Sequence, residues 1–121
     1  MSTSFDFGRA AENFAADYFS QQGFEILARN YFYQKAEIDL IIKKNQLIVV
    51  VEVKARNHNP LVAPENAVTP KKKKLLITAA NHFIDQNNLF ADVRFDILAL
   101  EKKDDQWVIN HIEDAFNPIE L

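Results

Sequence analysis

Cysteine is absent from the 121-residue sequence, which excludes disulfides, cysteine nucleophiles and thiolate metal sites and fits a reducing, cytoplasmic setting. The opening Met1-Ser2-Thr3-Ser4-Phe5-Asp6 lacks a basic segment followed by an apolar one, and no apolar run approaches the roughly 18 residues of a membrane span. A soluble chain is expected. Positive charge is not in excess either: the net charge is −3 and the isoelectric point near 5.6. This argues against a general nucleic-acid coat protein while leaving room for a local basic groove. Internal repeats are missing, and the only biased stretch is Lys71-Lys72-Lys73-Lys74.

What is present suffices for one domain with a sizeable core, since 48% of residues are hydrophobic and 12% aromatic. Phe7, Ala11, Phe14 and Tyr18, widened by Ala10, Ala15 and Phe19, recur at helical spacing and predict a helix from about Ser4 to Gln22. Gly23 suits the position after its end, with Phe24 folding back onto it. Strands are predicted over Phe24–Phe32, Ala36–Lys43 and Leu47–Arg56. The third is the most hydrophobic segment and is expected at the centre of the sheet. Short connections make these three an antiparallel meander. Prolines and asparagines over 57–68 predict a surface loop. Thr69-Pro70, an N-cap followed by proline at the first helical position, opens a helix to about Asn87 with Leu75, Leu76, Ala79, Ala80, Phe83 and Ile84 on its buried stripe. Strands over Asp92–Leu100 and Trp107–Ile112 follow, flanking a charged turn at 102–106. Arg94 and Asp96 are expected to pair structurally, and Ala115 and Phe116 to tuck against the core. His58, His82 and His111 share no metal-ligand spacing and are read as surface or structural residues.

The second and third strands carry charge where burial is expected. If Asn45-Gln46 is a two-residue hairpin loop, Lys44 faces Leu47, and counting outward brings Asp39 opposite Glu52 and Glu37 opposite Lys54. All four side chains then project from one face. Two opposed carboxylates repel. A divalent cation with oxygen ligands would remove the conflict, and a lysine in the next row could contact a phosphate or polarise a water. A purely structural network, with Glu37 paired to Lys54 and Asp39 to Arg94, is the alternative. Glu12 lies beside the apolar stripe of the first helix, either solvated or leaning toward Asp39 and Glu52. The four lysines occupy a first helical turn that disfavours cations. They are either a solvated run or a phosphate-binding edge.

An acid on one strand followed by Glu52-x-Lys54 on the next, in αβββαβ order, matches the core of the PD-(D/E)xK nuclease motif. Together with Glu12, Asn30, Glu37-Ile38-Asp39-Leu40-Ile41, Val51-Glu52-Val53-Lys54-x-Arg56, Glu65-x-Ala67-Val68-Thr69-Pro70, Arg94-Phe95-Asp96 and His111-Ile112-x-x-Ala115-Phe116, it makes the chain resemble the YraN family of small bacterial proteins from about Gly8 to Phe116. The resemblance implies an α/β (α+β) fold: a restriction-endonuclease-like core, similar to Holliday-junction resolvases, with a mixed central sheet of about five strands flanked by helices. It implies Asp39 and Glu52 as ligands of Mg²⁺ or Mn²⁺, Lys54 as the residue that orients or activates the attacking water, and Glu12 as an accessory acid. Arg56, Lys71, Lys72, Lys73 and Lys74 would position a nucleic-acid backbone, DNA rather than RNA, and resolvases suggest a homodimer. Ala36 stands where the family usually has glycine. Three readings follow: a metal-dependent endonuclease, a nucleic-acid binder that does not cleave, and a protein-interaction module.

Overall fold

The computed structural model describes residues 4–57 and 68–117; most of the expected 57–68 loop therefore lies outside the described residues. The elements run α1 (Ser4–Gln21), β1 (Glu25–Tyr33), β2 (Ala36–Lys44), β3 (Leu47–Asn57), α2 (Pro70–Gln86), β4 (Asp92–Lys103) and β5 (Gln106–Ile112). The five strands form one sheet in sequential order. β1, β2 and β3 are antiparallel neighbours, β4 lies parallel to β3, and β5 returns antiparallel to β4. Two adjacent parallel strands require a crossover, which α2 supplies. The expected helix, three strands, helix, two strands is thus what forms, with β3 central.

Each face of the sheet is covered by one helix. Leu76, Ala79, Ala80 and Phe83 of α2 pack with Ile38, Ile41, Ile48, Val50, Phe95 and Ile97. Ala11, Ala15, Ala16 and Phe19 of α1 pack with Leu40, Ile42, Val49, Val51, Leu98 and Leu100 on the other face. The buried stripe of α1 is therefore built mainly on alanines, which let the helix sit close to the sheet. Phe14 and Tyr18 lie at its margin, and Ala10, expected on the stripe, is exposed.

Local chemistry sets the ends of the elements. After α1, Gly23 adopts φ 92°, its N–H donates to Ser20 C=O, and Phe24 N–H donates to Phe19 C=O at 3.1 Å. The Phe24 ring then meets Phe19 edge-on, as expected of a glycine-terminated helix. Thr69 Oγ1 accepts from Lys72 N–H at 3.2 Å, with Pro70 opening α2. Asn45 turns the β2–β3 hairpin at φ 55°. The expected 102–106 turn shortens to Asp104-Asp105, both at positive φ, which matches the twist of a tight hairpin and lets β4 and β5 extend toward it. At the C-terminal end Ala115 N–H donates to Phe95 C=O at 2.7 Å, and Phe116 stacks on Phe95 at 5.0 Å.

Candidate active site

The counted register holds for five rows, from Lys44 opposite Leu47 to Leu40 opposite Val51. There the ladder ends, one row short of Asp39 and Glu52. Ile38 packs toward α2 and Leu40 toward α1 although they are two residues apart, so the alternation expected of a strand breaks at Asp39. On β1, Asn30 lies across from this break at φ 52°, between the paired residues Arg29 and Tyr31. Asparagine is among the few side chains that tolerate this conformation. With the strands diverging, Asp39 Oδ2 accepts Val53 N–H at 2.8 Å, so a carboxylate replaces a strand carbonyl as the partner of that amide. Glu37 is exposed and its backbone pairs with Phe32. It does not join the row of Lys54 as the simple count expects.

Glu52 is 2% exposed, in the most apolar strand of the protein. Its Oε2 bonds Lys72 Nζ at 3.0 Å, while Oε1 is buried without a hydrogen-bond partner. Burial raises its pKa, against the pull of Lys72 and Lys54; the nearby Asp39 amide also favours the charged form but does not reach hydrogen-bond geometry at Oε1. Asp39 is pushed up to about 7 by burial and then by the charge of Glu52, with smaller contributions from Glu12 and Glu37 and an opposing one from Val53 N–H. Glu12, half-buried on α1, thus acts on Asp39 instead of standing apart from it. The Lys54 amine is lowered by burial and by its direct interaction with Lys72, against the attraction of Glu52 and Asp39. Lys72 is raised: burial opposes its charge, but the contacts with Lys54 and Glu52 outweigh it. Two carboxylates and two amines therefore share one small space, which favours the charged form of Lys72 and disfavours that of Lys54.

The structure brings together Asp39, Glu52 and Lys54 and adds Lys72, which sequence reasoning placed only among backbone-positioning lysines. Its departure from that row is a matter of docking: the first turn of α2 lies over the end of β3, which no local spacing announces. The rest of the run divides. Lys73 Nζ lies over the Phe116 ring at 5.4 Å, and Lys71 and Lys74 are exposed. Arg56 is half-buried near the end of β3. Ala36 is buried where β2 begins, so its methyl is part of the core beneath α2.

Hard oxygen donors suit Mg²⁺ or Mn²⁺, and Mg²⁺ commonly takes one or two carboxylates and keeps several waters. Asp39 and the unpartnered Oε1 of Glu52 fit that demand. Among the described residues no group of three acidic or imidazole ligands converges, so two carboxylates are what the site offers.

A second polar cluster on the α1 face is structural. Asp96, fully buried, accepts from Arg94 Nε at 2.8 Å, bonds His111 Nε2 at 2.7 Å and accepts Asp114 N–H at 3.0 Å. The expected Arg94–Asp96 pair is present, so Arg94 is not the partner of Asp39. His111 also touches Tyr18 and packs edge-on against Phe19. His82 bonds Tyr31 and stacks on Tyr33. Both histidines are structural, while His58 lies outside the described residues.

A mixed five-stranded sheet with one helix on each face is an α+β fold, and it is consistent with a restriction-endonuclease-like core. The chain belongs to the uncharacterised protein family UPF0102, whose profile matches residues 11–100. It is 39% identical over 111 residues to a UPF0102 protein of Flavobacterium psychrophilum, covering 92% of this chain and 93% of that one. Its identity to a UPF0102 protein of Parabacteroides distasonis is 39% over 116 residues, 96% of each chain. A UPF0102 protein of Clostridium botulinum is 36% identical, with 92% and 93% covered. No helix among the described residues is long and apolar enough to cross a membrane.

Proposed function

We propose that the protein binds nucleic acid and hydrolyses phosphodiester bonds with the help of Mg²⁺ or Mn²⁺. The observation that carries this reading is Glu52: a nearly fully buried carboxylate with one oxygen unpartnered, beside an Asp39 whose pKa its charge raises. A fold does not keep such a pair for stability, because buried like charges cost free energy that a hydrophobic pair would not. A divalent cation bound there would polarise a phosphoryl oxygen and acidify a water. Asp39 and Glu52 would hold it, Lys54 would offset charge developing on phosphorus, and Glu12 would add to the negative field. Exposed Lys71 and Lys74, with Arg56, would hold the backbone; no apparatus for reading bases is evident among them.

The Lys72–Glu52 bond favours a second reading, a nucleic-acid binder that does not cleave, because it already gives Glu52 a cationic partner. A panel of duplex, single-stranded, flap and four-way-junction DNA with Mg²⁺ or Mn²⁺ separates the two. Metal-dependent cleavage by wild type, lost by about a hundredfold or more in Lys54→Ala with folding intact, is the expected result. Binding without cleavage, unchanged by chelator, would leave the second reading.

A further inference from the structure

A cavity of about 710 Å³ lies between the N-terminal half of α1 and the outer strand β1, bordered by Glu12, Arg29 and Phe32 among others. A second cavity of about 310 Å³ adjoins it at Gly8 and Glu12 and runs on to Val53 and Lys54. The two form a trough that starts at the sheet edge and ends at the candidate active site. Three features of its lining are unexplained by packing. Phe32 is 68% exposed on an edge strand, where sequences normally place charge or proline. Gly8 sits inside a helix, which disfavours glycine, and a Cβ there would meet nothing within 4 Å, so the bare backbone leaves open space. Arg29 is exposed, and its Nη2 bonds the neutral Asn13 Oδ1 at 2.7 Å. That bond orients the guanidinium without neutralising it. Glu12 and Glu37 border the same cavity, Glu37 across from Phe32 on the neighbouring strand, and both act on Asp39.

An aromatic face, an oriented guanidinium and an uncluttered path to Lys54 are what a nucleotide with an unpaired base requires. We propose that the trough seats single-stranded nucleic acid, with one base stacked on Phe32, a neighbouring phosphate on Arg29, and the strand passing over Gly8 to Lys54. This deepens the phosphodiesterase reading and rests on it. A duplex offers Phe32 no free base face, because its bases are stacked on each other. The substrate class is therefore a single strand, or a branch or end that exposes one.

The test is binding in chelator, where cleavage does not intervene, of a DNA oligonucleotide of roughly 12 nucleotides carrying 2-aminopurine. Wild type is expected to bind the single strand and quench the fluorescent base. Phe32→Ala should weaken binding about tenfold and abolish the quenching, whereas Phe32→Tyr should retain both. Gly8→Gln, which fills the open space while favouring the helix, should also weaken binding. Unchanged thermal unfolding would show that the substitutions leave the fold intact. Binding of Phe32→Ala equal to wild type, or a wild type that binds duplex but not single strands, overturns the trough and leaves the phosphodiesterase reading standing. Wild type that binds neither overturns both.

Discussion

Asp39 is protonated more readily in the folded protein than in the unfolded chain, because burial and the charge of Glu52 raise it from 3.8 to about 7. Between these values the native state binds the extra proton, so the Asp39 contribution to the stability of the metal-free protein falls as pH rises from about 4 to about 7 and is level above that. Asp39→Asn removes the ionisation yet keeps an oxygen that can accept Val53 N–H. Urea unfolding in chelator at pH 4.5 and pH 8 should show wild type weaker at the higher pH by up to a few kcal/mol, and the variant with a smaller fall, the remainder belonging to Glu52, which burial also raises. Equal slopes for both would mean that Asp39 ionises without cost. Lys72 supplies a second residue-level prediction. Lys72→Met leaves Glu52 buried beside Asp39 with a partner lost, which should cost about 1–3 kcal/mol. Adding Glu52→Gln should recover most of that loss, because the uncompensated charge goes with it. Additive losses in a double-mutant cycle would contradict the coupling.

At the scale of elements, the β2–β3 hairpin was legible because two apolar runs flank a short polar loop, so counting from Asn45-Gln46 assigns every pair down to Leu40 and Val51. Counting failed one row later for a physical reason. It assumes an unbroken strand, whereas Asp39 exchanges a backbone partner for a side-chain one and Asn30 leaves the β region opposite it. The same limit hid Lys72, whose meeting with Glu52 depends on how α2 docks, and His111, which reaches Asp96 only once β4 and β5 have paired. The Arg94–Asp96 pair was within reach because two residues on one strand share a face. Asn30 provides the element-level prediction. Asn30→Gly should be neutral or stabilise by up to about 1 kcal/mol, since glycine takes φ 52° freely. Asn30→Val should cost about 1–3 kcal/mol and disturb the Asp39 end of β2 before the hairpin end. Thermal unfolding measures the first effect and amide exchange at Val53 the second.

At the scale of the whole molecule, a chain of net charge −3 repels a polyanion at long range, so any attraction for nucleic acid must come from a small patch. The lysine run looks like four contacts in the sequence but does not act as four in the fold. Lys72 is committed to Glu52 and Lys73 lies over Phe116, which leaves the exposed Lys71 and Lys74 and the half-buried Arg56, with Arg29 at the far end of the trough. Each phosphate neutralised releases condensed counterions, and the salt dependence of binding counts them. About three or four such contacts predict a slope of log K against log salt of roughly −2 to −4, shallow for a nucleic-acid-binding protein. Lys71→Ala and Lys74→Ala should each reduce its magnitude by about 1, while Lys72→Met should alter it little. A wild-type slope well beyond about −5 would require Lys72 and Lys73 to leave their partners on binding. Glu52 would then lose its cation at the moment a phosphate arrives, and the same titration repeated with Mg²⁺ would show whether the metal takes the place of that lysine.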